Sequence, residues 1–135
     1  MGDSLIPEEV TNMLGGTPTE AQRKGQEFQG RTGISRTAKV GMWRLRATET
    51  TTGDLDAQVQ EILSQLTDDT AAWNRLASQY DIDLFCGLFM EKENEGVGIS
   101  ASTLRELGAR GIELSLDIYS GDSGTADNQA NSDAR

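Results

Sequence analysis

The chain has 135 residues with 12 lysines and arginines against 22 aspartates and glutamates, a formal net charge of -10, 36% hydrophobic residues, one cysteine and no histidine. That length suits about one domain with one core. A lone Cys86 excludes an internal disulfide and a cysteine-cluster zinc site, and the absence of histidine excludes Ser-His-Asp and Cys-His catalysis and any imidazole metal ligand. 

No run approaches the roughly 18 apolar residues of a membrane span, and no apolar signal-peptide core follows Met1, so a cytoplasmic protein with no membrane partner is expected. Charge is unevenly spread. Arg23, Lys24, Arg31, Arg36, Lys39, Arg44 and Arg46 face only Glu27 within residues 23–46, which makes that stretch about +6 and the remainder about -16. A repulsive far field argues against nucleic acid and favours cationic partners.

Pro7 followed by Glu8, Glu9, Val10, Met13 and Leu14, with Gly15 and Gly16 as a stop, predicts a short first helix. Residues 17–37 hold Gly25, Gly30, Gly33, threonines and bases, with only Phe28 and Ile34 as large apolar anchors, and read as a long loop. From Val40 to Ala47 the alternation of Trp43, Leu45 and Ala47 with Met42, Arg44 and Arg46 predicts a half-buried strand with Trp43 pointing inward. After the Thr50-Thr51-Thr52-Gly53 break, Thr52 or Asp54 caps a helix whose Leu55, Val59, Ile62, Leu63 and Leu66 form one stripe. Asp68 or Asp69 restarts a second helix bearing Trp73, Leu76 and Tyr80.

From Ile82 to Glu91 apolar and outward positions alternate strictly, a strand with Ile82, Leu84, Cys86, Leu88 and Met90 on one face and Asp83, Phe85 and Phe89 on the other. Ser100 or Ser102 caps a helix with Leu104 and Leu107, stopped at Gly111. Ile112, Leu114, Leu116 and Ile118 then mark a last strand, and both Leu63 and Leu116 are expected to be buried. Residues 120–135 have no large apolar side chain, so a single domain over 1–119 and a disordered tail over 120–135 are expected. Strands with one apolar face and helices to cover it imply an α+β two-layer sandwich, a small sheet with helices packed on one face.

Thr17-Pro18-Thr19, Lys24-Gly25, Gly41-Met42-Trp43 opening a strand, Asp54-Leu55-Asp56, Ile99-Ser100 before a helix and the closing Asp117-Ile118-Tyr119 stand in an order that resembles the uncharacterised bacterial domain-of-unknown-function family 4279, over about Asp3 to Tyr119. The resemblance implies a small bacterial domain and no particular reaction. It also implies an apolar strand ahead of the Asp3-x-x-x-Pro7-Glu8-Glu9 element, whereas only Ser4, Leu5 and Ile6 separate Asp3 from Pro7 here. With such a strand the order would be ferredoxin-like with an inserted helix pair.

Two candidate sites follow from residue type. Thr17, Thr19, Lys24, Gly25 and Arg31 supply hydroxyls, charge and accessible amides of the kind an anion site uses, without the pattern of a P-loop; the same bases equally suit pairing with the acids of this molecule. Arg44 and Arg46 are expected to pair with Asp83 or Glu91 across strands. Phe85 and Phe89, with Asp83, Asp117 and Tyr119, share the face opposite the apolar one, either under the 17–37 loop or the helix pair, or as a surface for a basic protein or a second copy. Asp83, Glu113 and Asp117 do not by themselves make a general acid–base pair, and the acids at 68–69 and 91–95 lack the order of a calcium loop. No catalytic residue, metal or cofactor is assigned. The reading is a non-enzymatic interaction module of regulatory or immunity-like type, with a small-molecule or anion-binding module on the basic segment 17–46 as the alternative.

Overall fold

A computed structural model describes residues 1–48 and 54–120, so Thr52 as an alternative cap and the tail from 121 lie outside the described residues. Four helices form where capping and stripe signals coincide. Helix α1 (Pro7–Leu14) begins on Pro7, carries Glu8 and Glu9 in its first turn and ends at Gly15 with φ 84°. Helices α2 (Leu55–Leu63), α3 (Thr70–Gln79) and α4 (Ala101–Ala109) are capped by Asp54, Asp69 and Ser100, whose side chains accept from the amides of Ala57, Ala71 and Thr103. Gly111, at φ 70°, turns the chain out of α4, and Ile112 N–H then bonds Leu107 O at 3.0 Å.

The stretch expected as a loop instead holds three short strands. β1 (Glu20–Gln22) pairs antiparallel with β4 (Met42–Arg44), and β2 (Glu27–Gln29) pairs antiparallel with β3 (Ser35–Thr37). These strands lack an apolar stripe. They are held by backbone bonds such as Gly25 N–H to Ala38 O and Gly30 N–H to Ile34 O, both 2.8 Å, and by Arg36 stacked on Phe28 at 4.7 Å. Ile34, taken as an anchor, stands 72% exposed at the hairpin tip.

The third pair is parallel: β5 (Asp83–Phe89) and β6 (Glu113–Tyr119), connected through α4, run in register from Asp83 opposite Glu113 to Phe89 opposite Tyr119. The Trp43 strand therefore belongs with β1 and not with this sheet. Nor do the described residues form a four-stranded ferredoxin-like sheet, since β5 pairs directly with β6. The chain is a mixed α+β fold.

Two apolar clusters hold it. Leu5, Val10, Leu14, Trp73 and Leu76 join α1 to α3, with Trp43 and Tyr80 packed against them. Leu55, Val59, Leu63 and Leu107 join α2 to α4 over the face of β5–β6 that carries Leu84, Cys86 and Leu114. Ile112 packs against both. The helices cover only the first half of the sheet, so Leu116, expected in the core, is 42% exposed and Ile118 58%. Both indole N–H groups find acceptors, Trp73 on Thr67 O at 2.8 Å and Trp43 on Thr11 Oγ1 at 3.0 Å.

The N-terminal residues are pinned between these parts. Gly2 and Gly41 exchange backbone hydrogen bonds, and a Cβ on Gly41 would meet Gly2 O at 2.6 Å and Leu5 Cβ at 2.9 Å, so only glycine fits there. Met1 and Asp81 likewise exchange bonds at 2.8 and 3.2 Å beside the start of β5. No helix among the described residues is long and apolar enough to cross a membrane.

Candidate functional site

Strand alternation places Asp83, Phe85, Gly87 and Phe89 on the face of β5 turned away from the helices, and the parallel register lays Glu113, Ser115, Asp117 and Tyr119 beside them. Neither the 17–37 segment nor the helix pair buries the phenylalanines: Phe85 is 46% and Phe89 74% exposed. At one end of this face the rings of Phe89 and Tyr119 stack, 4.6 Å between centroids and 8° from parallel. The Phe89 ring leans over Gly87, where a Cβ would sit 3.4 Å from Phe89 Cε2. Tyr119 donates its hydroxyl to Asp117 Oδ2 at 2.8 Å, which orients both side chains.

At the other end two carboxylates, Asp83 and Glu113, stand directly opposite each other on adjacent strands, both exposed. Like charges in that relation are destabilising unless a cation joins them. They border an open cleft of about 590 Å³ to which Asp81 adds a third acid and Tyr80 an aromatic wall, and the Met1 ammonium at its edge attracts Asp81 and Asp83. Asp81 escapes sequence reasoning as a site residue, and Glu113, readable as an acid of the same face, is set directly beside Asp83 only by the register between two distant strands. The Cys86 thiol lies on the opposite, helix-covered face, where burial pushes its pKa up and keeps it protonated.

The basic segment is arranged differently. Lys24 pairs with Asp3 at 3.0 Å and Arg23 with Glu8 at 2.7 Å. Arg44 and Arg46 both reach Glu20, at 3.3 and 2.8 Å, in place of the expected Asp83 or Glu91, because β4 lies against β1 and not against β5. Lys24 lies in the turn before β2 and Arg31 at the tip of the β2–β3 hairpin, so β2 stands between them. The amide of Gly25 is engaged by Ala38 O. Thr19 Oγ1 accepts from the Arg46 amide at 3.0 Å, and Thr17 is an exposed residue ahead of β1. The structure thus gathers Asp83, Phe85, Phe89, Asp117 and Tyr119 on one surface and leaves Thr17, Thr19, Lys24, Gly25 and Arg31 dispersed.

A domain of unknown function, DUF4279, matches residues 1–121. The chain belongs to the DUF4279 family. No match was found among curated proteins or among solved structures. Membership in DUF4279 assigns no reaction, so the chemistry of the β5–β6 face is the basis for a functional reading.

Proposed function

We propose that the chain is a non-catalytic protein-interaction module whose outer β5–β6 face takes a lysine- or arginine-bearing segment of a partner protein. The observation that carries this reading is the combination, on one exposed face, of the opposed Asp83 and Glu113 carboxylates with the stacked Phe89–Tyr119 pair. A cation between the two carboxylates relieves their repulsion, and a second cation finds the negative face of an aromatic ring one strand length away. The net charge of -10 draws basic partners toward the surface, a contribution to association rate more than to affinity. The anion-binding alternative loses support because Lys24 pairs with Asp3 and the Gly25 and Gly30 amides are engaged within their own hairpin.

Titration calorimetry against a lysine-rich peptide tests the proposal. Reversing both carboxylates, Asp83→Lys with Glu113→Lys, is expected to weaken binding by about tenfold or more and to flatten its salt dependence. A control of equal charge change at exposed acids elsewhere, Glu9→Lys with Glu93→Lys, is expected to retain most of the affinity. If both double variants lose affinity equally, net charge and not this face is responsible, and the reading fails.

A further inference from the structure

We propose that the outer edge of β6 pairs antiparallel with β6 of a second copy of this chain, about a two-fold axis at Leu116. The inference concerns the strand edge and stands independently of the partner-binding face.

Backbone direction sets the possibilities. Glu113 N–H bonds Ile82 O and Met90 N–H bonds Tyr119 O, both at 3.1 Å. In a parallel ladder alternate residues turn N–H and C=O to the neighbour. Glu113, Ser115, Asp117 and Tyr119 therefore address β5, while Leu114, Leu116 and Ile118 present theirs at an edge that no described strand occupies. The side chains of those same three residues lie on the helix-side face, where Leu114 packs against the α2–α4 cluster while Leu116 is 42% and Ile118 58% exposed, and Leu104 of the adjoining α4 is 50% exposed. A bare edge flanked by aliphatic side chains is the feature that sheets ordinarily cover or blunt with charge.

The edge is complementary to itself. An axis at Leu116 sets Leu116 opposite its own copy and Leu114 opposite Ile118, all with outward backbone groups, giving roughly six interchain hydrogen bonds. On the other face it sets Asp117 opposite Ser115 and Glu113 opposite Tyr119, so no two carboxylates stand directly opposed. The axis is perpendicular to the sheet, so both α4 helices lie on the same side of the four strands as the Leu116 and Ile118 side chains. β5 offers no equivalent. Its outward residues are the odd-numbered ones, Asp81 is already bonded to Met1, and an axis at Gly87 would oppose Asp83 to Glu91. The β6 edge is thus the one a second copy fits, and the product is a four-stranded sheet with strand order β5-β6-β6-β5.

Sedimentation velocity over a dilution series of the full chain is expected to show a reversible monomer–dimer equilibrium. Leu116→Lys places two ammonium groups against each other at the axis and is expected to be monomeric, as is Leu116→Asp, both keeping the wild-type circular dichroism because the side chain is half exposed in the monomer. Mixing the two is expected to restore a dimer, a rescue that only direct Leu116–Leu116 apposition provides. Hydrogen exchange on the wild type adds a readout free of substitutions: the amides of Leu114, Leu116 and Ile118 should gain protection with concentration relative to those of Ser115 and Asp117. A wild type monomeric at every concentration, a Leu116→Lys chain that still dimerises, folded variants that do not associate on mixing, or edge amides protected equally at all dilutions because residues 121–135 cover them would each overturn the proposal.

Discussion

The Asp56 carboxylate sits in the first turn of α2 and accepts the amide of Ser100 at 3.0 Å, while Ser100 itself caps α4 and its hydroxyl reaches the buried Thr103 at 3.1 Å. One acid therefore ties the start of α2 to the start of α4, where the partial positive charge of a helix N-terminus favours an anion. Its pKa is held below the usual aspartate value, first by the Ser100 backbone bond and then by the Thr103 hydroxyl. A carboxyl whose folded pKa is depressed contributes stability above its unfolded pKa and loses that contribution as pH falls through the folded value. The melting temperature of the wild type should accordingly fall with acid below about pH 4, and Asp56→Asn should start lower at neutral pH and show a shallower acid slope. Parallel melts of the two proteins across that range check this; equal slopes would place the acid sensitivity elsewhere. Ser100→Ala, which removes the cap, should cost about 1 kcal/mol.

At the scale of elements, the same apolar residue type has different weight according to what lies over it. Leu63 on α2 is 6% exposed within the second cluster, so Leu63→Ala should cost about 2 to 5 kcal/mol. Leu116 belongs to a strand of equally clear alternation, yet α2 and α4 end short of it, and in the monomer Leu116→Ala should cost only about 1 kcal/mol. Urea unfolding of both variants at low protein concentration measures the contrast, and equal losses would contradict the half-open sheet. This contrast also shows what was legible beforehand. The stripe of α2, a cap within two residues of each of Asp54, Asp69 and Ser100, and the alternation of β5 and β6 are local signals, readable in the sequence. Which way Leu116 looks was readable too, but not how far the helices extend over it. β1, β2 and β3 are invisible in the sequence because three-residue strands, mostly polar, have no period to detect; they exist through pairing with partners 6 to 24 residues away. The aromatic–acidic face is legible from parity alone, whereas the Asp83–Glu113 opposition depends on the register, and the pairing of Arg44 and Arg46 with Glu20 depends on β4 lying against β1 and not β5.

Across the whole molecule the core is two clusters and not one, α1 with α3 and α2 with α4 over the parallel strands. The connection between them is narrow. Thr67 N–H bonds Leu14 O at 2.7 Å in the turn between α2 and α3, Leu66 packs back on the first cluster, and Ile112, emerging from α4 into β6, packs against both. Substitutions in separate clusters that do not touch should come close to additive, while those packed against a residue common to both clusters should not. Leu76→Ala and Leu63→Ala, one in each cluster, are therefore expected to be additive within about 0.5 kcal/mol. Ile112→Ala should instead show a coupling with each of them, because removing Ile112 loosens the packing against which both leucines are measured. Double-mutant cycles by urea unfolding supply all three terms. Coupling between Leu63 and Leu76 as large as that of either with Ile112 would mean the clusters form one continuous core, and Ile112 would no longer mark a boundary between the α1–α3 cluster and the one that covers the parallel sheet.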